Sequence, residues 1–95
     1  MKYNETILNK EVVLQRRSKG DKIATFKAKE LGLVQAPVGT CYRLSLLSGV
    51  KIEVYSNRTD GSSLSVSLKN LPRFVRVPRT GRASKVRIMA IQRLY

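Results

Sequence analysis

Histidine and tryptophan are absent from this 95-residue chain, and cysteine occurs once, at Cys41. Without histidine the chain has no side chain that ordinarily titrates near neutral pH, and it lacks the commonest metal ligand. A single cysteine cannot close an internal disulfide, so oxidative stapling is not what stabilises the domain. Acids are equally scarce. Glu5, Glu11, Asp21, Glu30, Glu53 and Asp60 are the full set, and they are scattered along the chain. With no paired carboxylates, no CxxC and no Ser-His-Asp set, a two-carboxylate hydrolase, a zinc site and a triad enzyme are all unsupported. The expectation is a non-enzyme with no catalytic residue, no cofactor and no metal. No apolar run approaches the roughly 18 residues of a membrane span, and the N-terminus carries no apolar leader core. The expected setting is therefore cytoplasmic, with no membrane partner.

What the chain has in excess is positive charge. It carries 19 Lys and Arg, for a formal net charge of +13. So large an excess opposes compaction by self-repulsion, and a polyanionic partner is the simplest reason to tolerate it. The charge is uneven. Residues 1–60 hold 11 basic and 6 acidic side chains, whereas residues 61–95 hold 8 basic side chains and no acid. Asymmetry of this kind points to contact with nucleic acid or a membrane. Arginine dominates the acid-free part, and its planar fork suits phosphate and guanine better than the mobile point charge of lysine.

The local patterns are those of short strands. Tyr42, Leu44 and Leu46 alternate with polar residues, and so do Val50, Ile52 and Val54. Period two on both sides of a turn predicts a hairpin. Its register follows from the apolar faces. A three-residue loop, Leu47-Ser48-Gly49, opposes Leu46 to Val50, Leu44 to Ile52 and Tyr42 to Val54, and sets Gly49 where a bulged type I turn needs a left-handed residue. Leu64, Val66 and Leu68 mark another strand with a serine-rich outer face. Val12–Gln15 and Ile23–Phe26 read as two more, joined by a Gly20-Asp21 turn, while the stretch Ile7–Leu14 also allows a short amphipathic helix. Lys27–Leu31 reads as one helical turn ended by Gly32. Phe74–Val77 and Val86–Ile91 complete the set.

Frequent turn signals and no long helix predict a single, mainly β domain over residues 1–95. It would be a small antiparallel barrel or sandwich of about six or seven short strands, with at most one or two helical turns. Residues 69–93 form a basic C-terminal segment, with 78–84 as a hairpin arm between the last two strands.

The order strand, Gly20-Asp21 turn, strand, helical turn ending in Leu31-Gly32-Leu33, Pro37-Val38-Gly39 loop and hairpin resembles the swapped-hairpin AbrB type of bacterial DNA-binding module. The resemblance spans residues 12–55 and leaves the basic C-terminal third outside it. It implies two interlocked chains, a swapped-hairpin β dimer, as the alternative architecture, with Arg16, Arg17 and Lys19 at the positions that face DNA. Uncovered edge strands would also favour a homodimer.

The candidate interface is Arg73, Arg76, Arg79, Arg82, Lys85 and Arg87, joined by Arg16, Arg17 and Lys19. Such an arm can lie along a phosphate backbone or enter a minor groove. Phe74 and Tyr55 are candidates for stacking on a base. The plainer expectation is that Phe74 fills a small core with Leu71 and that Tyr55 makes a cross-strand contact. The functional expectation is a non-enzymatic nucleic-acid-binding protein, with DNA preferred over RNA because aromatic platforms are sparse. The alternative is a basic modulator docking on an acidic surface of a polymerase, nuclease or ribosomal assembly, with Ser63–Lys69 adding to its sheet. A histidine-free RNA endonuclease ranks third.

Overall fold

A computed structural model describes residues 4–16, 20–57, 62–78 and 84–95. Six strands are present: β1 (Thr6–Arg16), β2 (Ile23–Lys27), β3 (Cys41–Leu46), β4 (Lys51–Ser56), β5 (Ser63–Ser67) and β6 (Ser84–Arg93). They close into an antiparallel barrel in the order β1-β2-β5-β4-β3-β6. Among the described residues, two single 3-10 turns, Ala28–Leu31 and Leu68–Asn70, are the remaining regular elements. Among the described residues no helix is long and apolar enough to cross a membrane.

Alternation builds the wall. Val12 and Leu14, Ala24 and Phe26, Leu44 and Leu46, Ile52 and Val54, Leu64 and Val66, and Val86 and Ile88 all turn inward and are buried. Leu31 and Val77 belong to the same apolar cluster from outside the ladder. The β3–β4 hairpin has the register that its apolar faces require, with Tyr42 opposite Val54 and Leu44 opposite Ile52. The Gly49 amide closes the turn onto the Leu46 carbonyl at 2.9 Å, with φ at 92°. A Cβ built on Gly49 meets nothing within 4 Å. The cost of a side chain there is thus confined to the backbone. Gly49→Ala is expected to lower stability by about 1–2 kcal/mol in urea unfolding, leaving the hairpin register intact. An unchanged midpoint would mean that the turn does not need its left-handed residue.

Three expectations need correction. The stretch Ile7–Leu14 is strand and not helix, and β1 reaches back to Thr6. A bulge interrupts its pairing with β6 between Ile7 and Lys10, where Asn9 takes φ 45°. The third correction concerns Phe74–Val77, which forms no strand. Pro72 and Pro78 bracket it without amide donors, and the Val75 amide folds back to the Pro72 carbonyl at 3.0 Å. It also has nothing to pair with, because β6 is already held between β1 and β3. The segment instead turns Val77 into the barrel and lays Val75 against the core. The arm predicted at 78–84 falls largely on residues 79–83, which lie outside the described residues.

Closure also bears on the edges. Each strand has a neighbour on both sides, and β5 runs between β2 and β4, pairing with β4 only at Leu64 and Ser65. Two stretches lack a ladder on one side: the first half of β1, since only Leu14–Arg16 pair with β2, and the first four residues of β4, since only Tyr55 and Ser56 pair with β5. Where β2 has turned away, the Glu30 carboxylate accepts the Val13 amide at 3.1 Å. Further along, the bulge and the exposed Lys10 are features that discourage a foreign strand.

Candidate functional site

Strand direction decides which basic residues can meet. The up-and-down order puts the C-terminal ends of β1, β3 and β5 at the same end of the barrel as the N-terminal ends of β2, β4 and β6. Arg16 ends β1, Lys22 precedes β2, Lys51 begins β4, and Lys69 with residues 71–78 follows β5. All of these therefore gather at one mouth. Among the described residues, Asp21 is the acid that accompanies them there.

Arg16 of the first basic cluster and Arg73 and Arg76 of the second, far apart in sequence, line one groove of about 480 Å3 at this mouth. Arg16 lines it from β1, and Arg73 and Arg76 line it from the 71–78 segment, over a floor of Leu68, Leu71 and Val75. The Leu68 amide bonds the Lys22 carbonyl at 2.9 Å and ties the two sides together. By alternation Arg16 shares the inward parity of Val12 and Leu14, which is why it is half-buried at the rim. Its Nε is buried and has no hydrogen-bond partner among the described residues. Arg73 and Arg76 are exposed. Arg16 also borders a polar groove down the outer wall, lined by Lys27, Lys29, Thr25 and Ser63. Three guanidinium groups around one groove repel each other, and an anion relieves that repulsion.

The other candidates divide. Arg17, Lys19, Arg79 and Arg82 lie outside the described residues. Lys85 and Arg87 are on the outer face of β6, not in the arginine groove. Lys85 faces Glu11 at 3.9 Å, an exposed pair of small energetic weight. Arg87 does structural work, because its Nη1 donates to the Asn9 carbonyl at 3.2 Å and to Asn9 Oδ1 at 3.1 Å, pinning the bulge.

Phe74 is 61% exposed and does not fill a core with Leu71. It sits on the solvent side because Val75 and Val77 take the inward positions. Tyr55 lies near the opposite end of β4, away from the mouth, opposite Cys41 and Ser65. Its hydroxyl donates to the Glu53 carboxylate at 3.3 Å. The neighbouring Tyr95 phenol, and after it Cys41, push the Tyr55 pKa up.

Sequence reasoning missed Lys27 and Lys29 altogether and left Lys22, Lys51 and Lys69 outside the candidate set. Lys22 lies close to Arg16 in sequence and groups with it there; the other lysines carry no local signal, and only the strand order brings them near Arg16. Comparison with protein-family models, with curated proteins and with solved structures finds no match.

Proposed function

We propose that this protein is a non-enzymatic nucleic-acid-binding protein that holds the phosphate backbone of DNA in the arginine groove at one mouth of its barrel. The observation that supports this reading is the convergence of Arg16 with Arg73 and Arg76 on one groove, over an apolar floor and with little acid nearby. Arginine forks match phosphate oxygens bidentately. The lysines around the mouth and down the outer wall extend the attraction without adding base readout.

The test is a fluorescence anisotropy titration of duplex DNA at several salt concentrations. If about five basic side chains neutralise phosphates, log K against log salt falls with a slope near −4.5. Failure to bind any nucleic acid near physiological salt would sink the proposal. That outcome would favour the alternative, a basic modulator that docks on an acidic protein surface.

A further inference from the structure

The 71–78 segment has a groove on each side, and Val75 borders both. The second groove, about 180 Å3, is of a different character. Phe74 forms one wall, Leu47 and Ser48 of the β3–β4 turn form another, and Lys85 and Arg87 of β6 provide the charged rim. Phe74 and Leu47 are 61% and 66% exposed, so the groove presents two large apolar side chains to water beside Arg87, which Asn9 holds, and Lys85, which is exposed and loosely paired with Glu11. Apolar surface displayed in this way on a small domain marks a contact surface.

The β6 side of the groove and the turn beside it are held in place by bonds. The Leu47 amide donates to the Arg87 carbonyl at 3.2 Å. The Arg87 guanidinium is in turn fixed by Asn9. That side of the groove is ordered before a ligand arrives, which favours binding.

We propose that this second groove receives one unpaired base of DNA, stacked on Phe74, and that the protein therefore recognises the junction between a duplex and a single strand. The inference rests on the nucleic-acid reading above and names its substrate class. A duplex buries its base faces, so stacking on Phe74 requires an unpaired base. Phe74 lines a recess and does not stand out as a wedge, which suits accepting a base better than prying open a stacked step. With one aromatic in the recess, one base is taken and not a run of them. Lys85 at the rim is placed for the phosphate of that nucleotide, while the arginine groove across the segment keeps the adjoining duplex. The single strand is DNA because the duplex it leaves is DNA.

The experiment titrates a short blunt DNA duplex, the same duplex with a single-stranded DNA overhang, and the same duplex with an RNA overhang. A 2-aminopurine marks the first unpaired position. The wild-type protein is expected to prefer the DNA overhang to the blunt end and to quench the 2-aminopurine. Phe74→Ala is expected to weaken overhang binding roughly 5- to 100-fold, to leave blunt-duplex binding unchanged and to lose the quench. Phe74→Trp restores the overhang binding and the quench, and the exposed position keeps both variants folded, which a thermal melt checks. Equal binding of blunt and overhang duplexes, both salt-sensitive, overturns the junction and leaves the arginine groove standing. No binding to either overturns the parent reading as well. A preference for the RNA overhang overturns the assignment to DNA.

Discussion

Phe26→Ala is expected to destabilise the domain by about 3–5 kcal/mol, against a total stability of about 5–14 kcal/mol for a chain of this size. Phe26 is fully inaccessible and is the bulkiest of the fully buried side chains. It lies opposite Leu14 of β1 on one side and Leu64 of β5 on the other, so it joins three strands of the wall. A cavity there cannot be filled by the small Ala24 or Ala28 near it, and the closed ladder resists collapse. The melting temperature should fall by at least about 12 °C, given 4–8 °C per kcal/mol in domains of this length. Ile23 is the control. It begins the same strand but is half-exposed, and Ile23→Ala should change stability by about 0.5 kcal/mol or less. Similar losses for the two variants in urea unfolding would mean that the inner face of β2 is misassigned.

How far the sequence discloses this fold depends on the range of the rule involved. The β3–β4 hairpin is legible to the residue, because alternation fixes each face and Gly49 fixes the turn between them. The 3-10 turn ending at Gly32 is legible for the same reason, since one left-handed residue stops it. The bulge at Asn9 is hidden. Ile7 and Leu8 are adjacent apolar residues, so period two is already broken where β1 begins. The closing ladders between β1 and β6 and between β3 and β6 join distant parts of the chain, and no local pattern encodes them. That gap produced the largest error. Val75 and Val77 alternate with Phe74 and Arg76 as a strand would, yet closure leaves them no edge, and they cover the mouth instead.

The candidate site follows the same division. Charge asymmetry and arginine bias single out Arg73 and Arg76 without any structure. Their meeting with Arg16 depends on which strand ends share a mouth, and that is a property of the closed barrel. Arg87 looked like its neighbours in sequence. Only the bulge, with an Asn9 carbonyl and amide turned toward it, gives its guanidinium a structural partner. Phe74 could be read either way until the inward places of Val75 and Val77 were known.

Replacing Arg16, Arg73 and Arg76 together by Gln is expected to have the largest effect on binding. Gln keeps part of the aliphatic stem of each arginine, which covers the apolar floor of Leu68, Leu71 and Val75. Folding should therefore survive, and the loss should appear in the salt dependence. Each phosphate contact contributes about 0.9 to the slope of log K against log salt, so three lost contacts flatten it by about 2.7. Extrapolated from the molar-salt reference to about 0.1 M, the same three contacts account for roughly 500-fold in affinity. Removing charge from the wall tests whether net charge alone is responsible. Lys10 lies on β1 away from the mouth, and Arg43 on β3 is paired with Glu53 at 3.6 Å. Lys10→Gln with Arg43→Gln lowers the net charge by two and touches neither groove. If binding were a response to net charge, this pair would flatten the slope as much per charge as the arginine triple does. If the groove holds the backbone, the pair leaves the slope nearly unchanged while the triple flattens it. Equal flattening per charge would remove the groove from the mechanism and reduce the barrel to a diffuse positive surface.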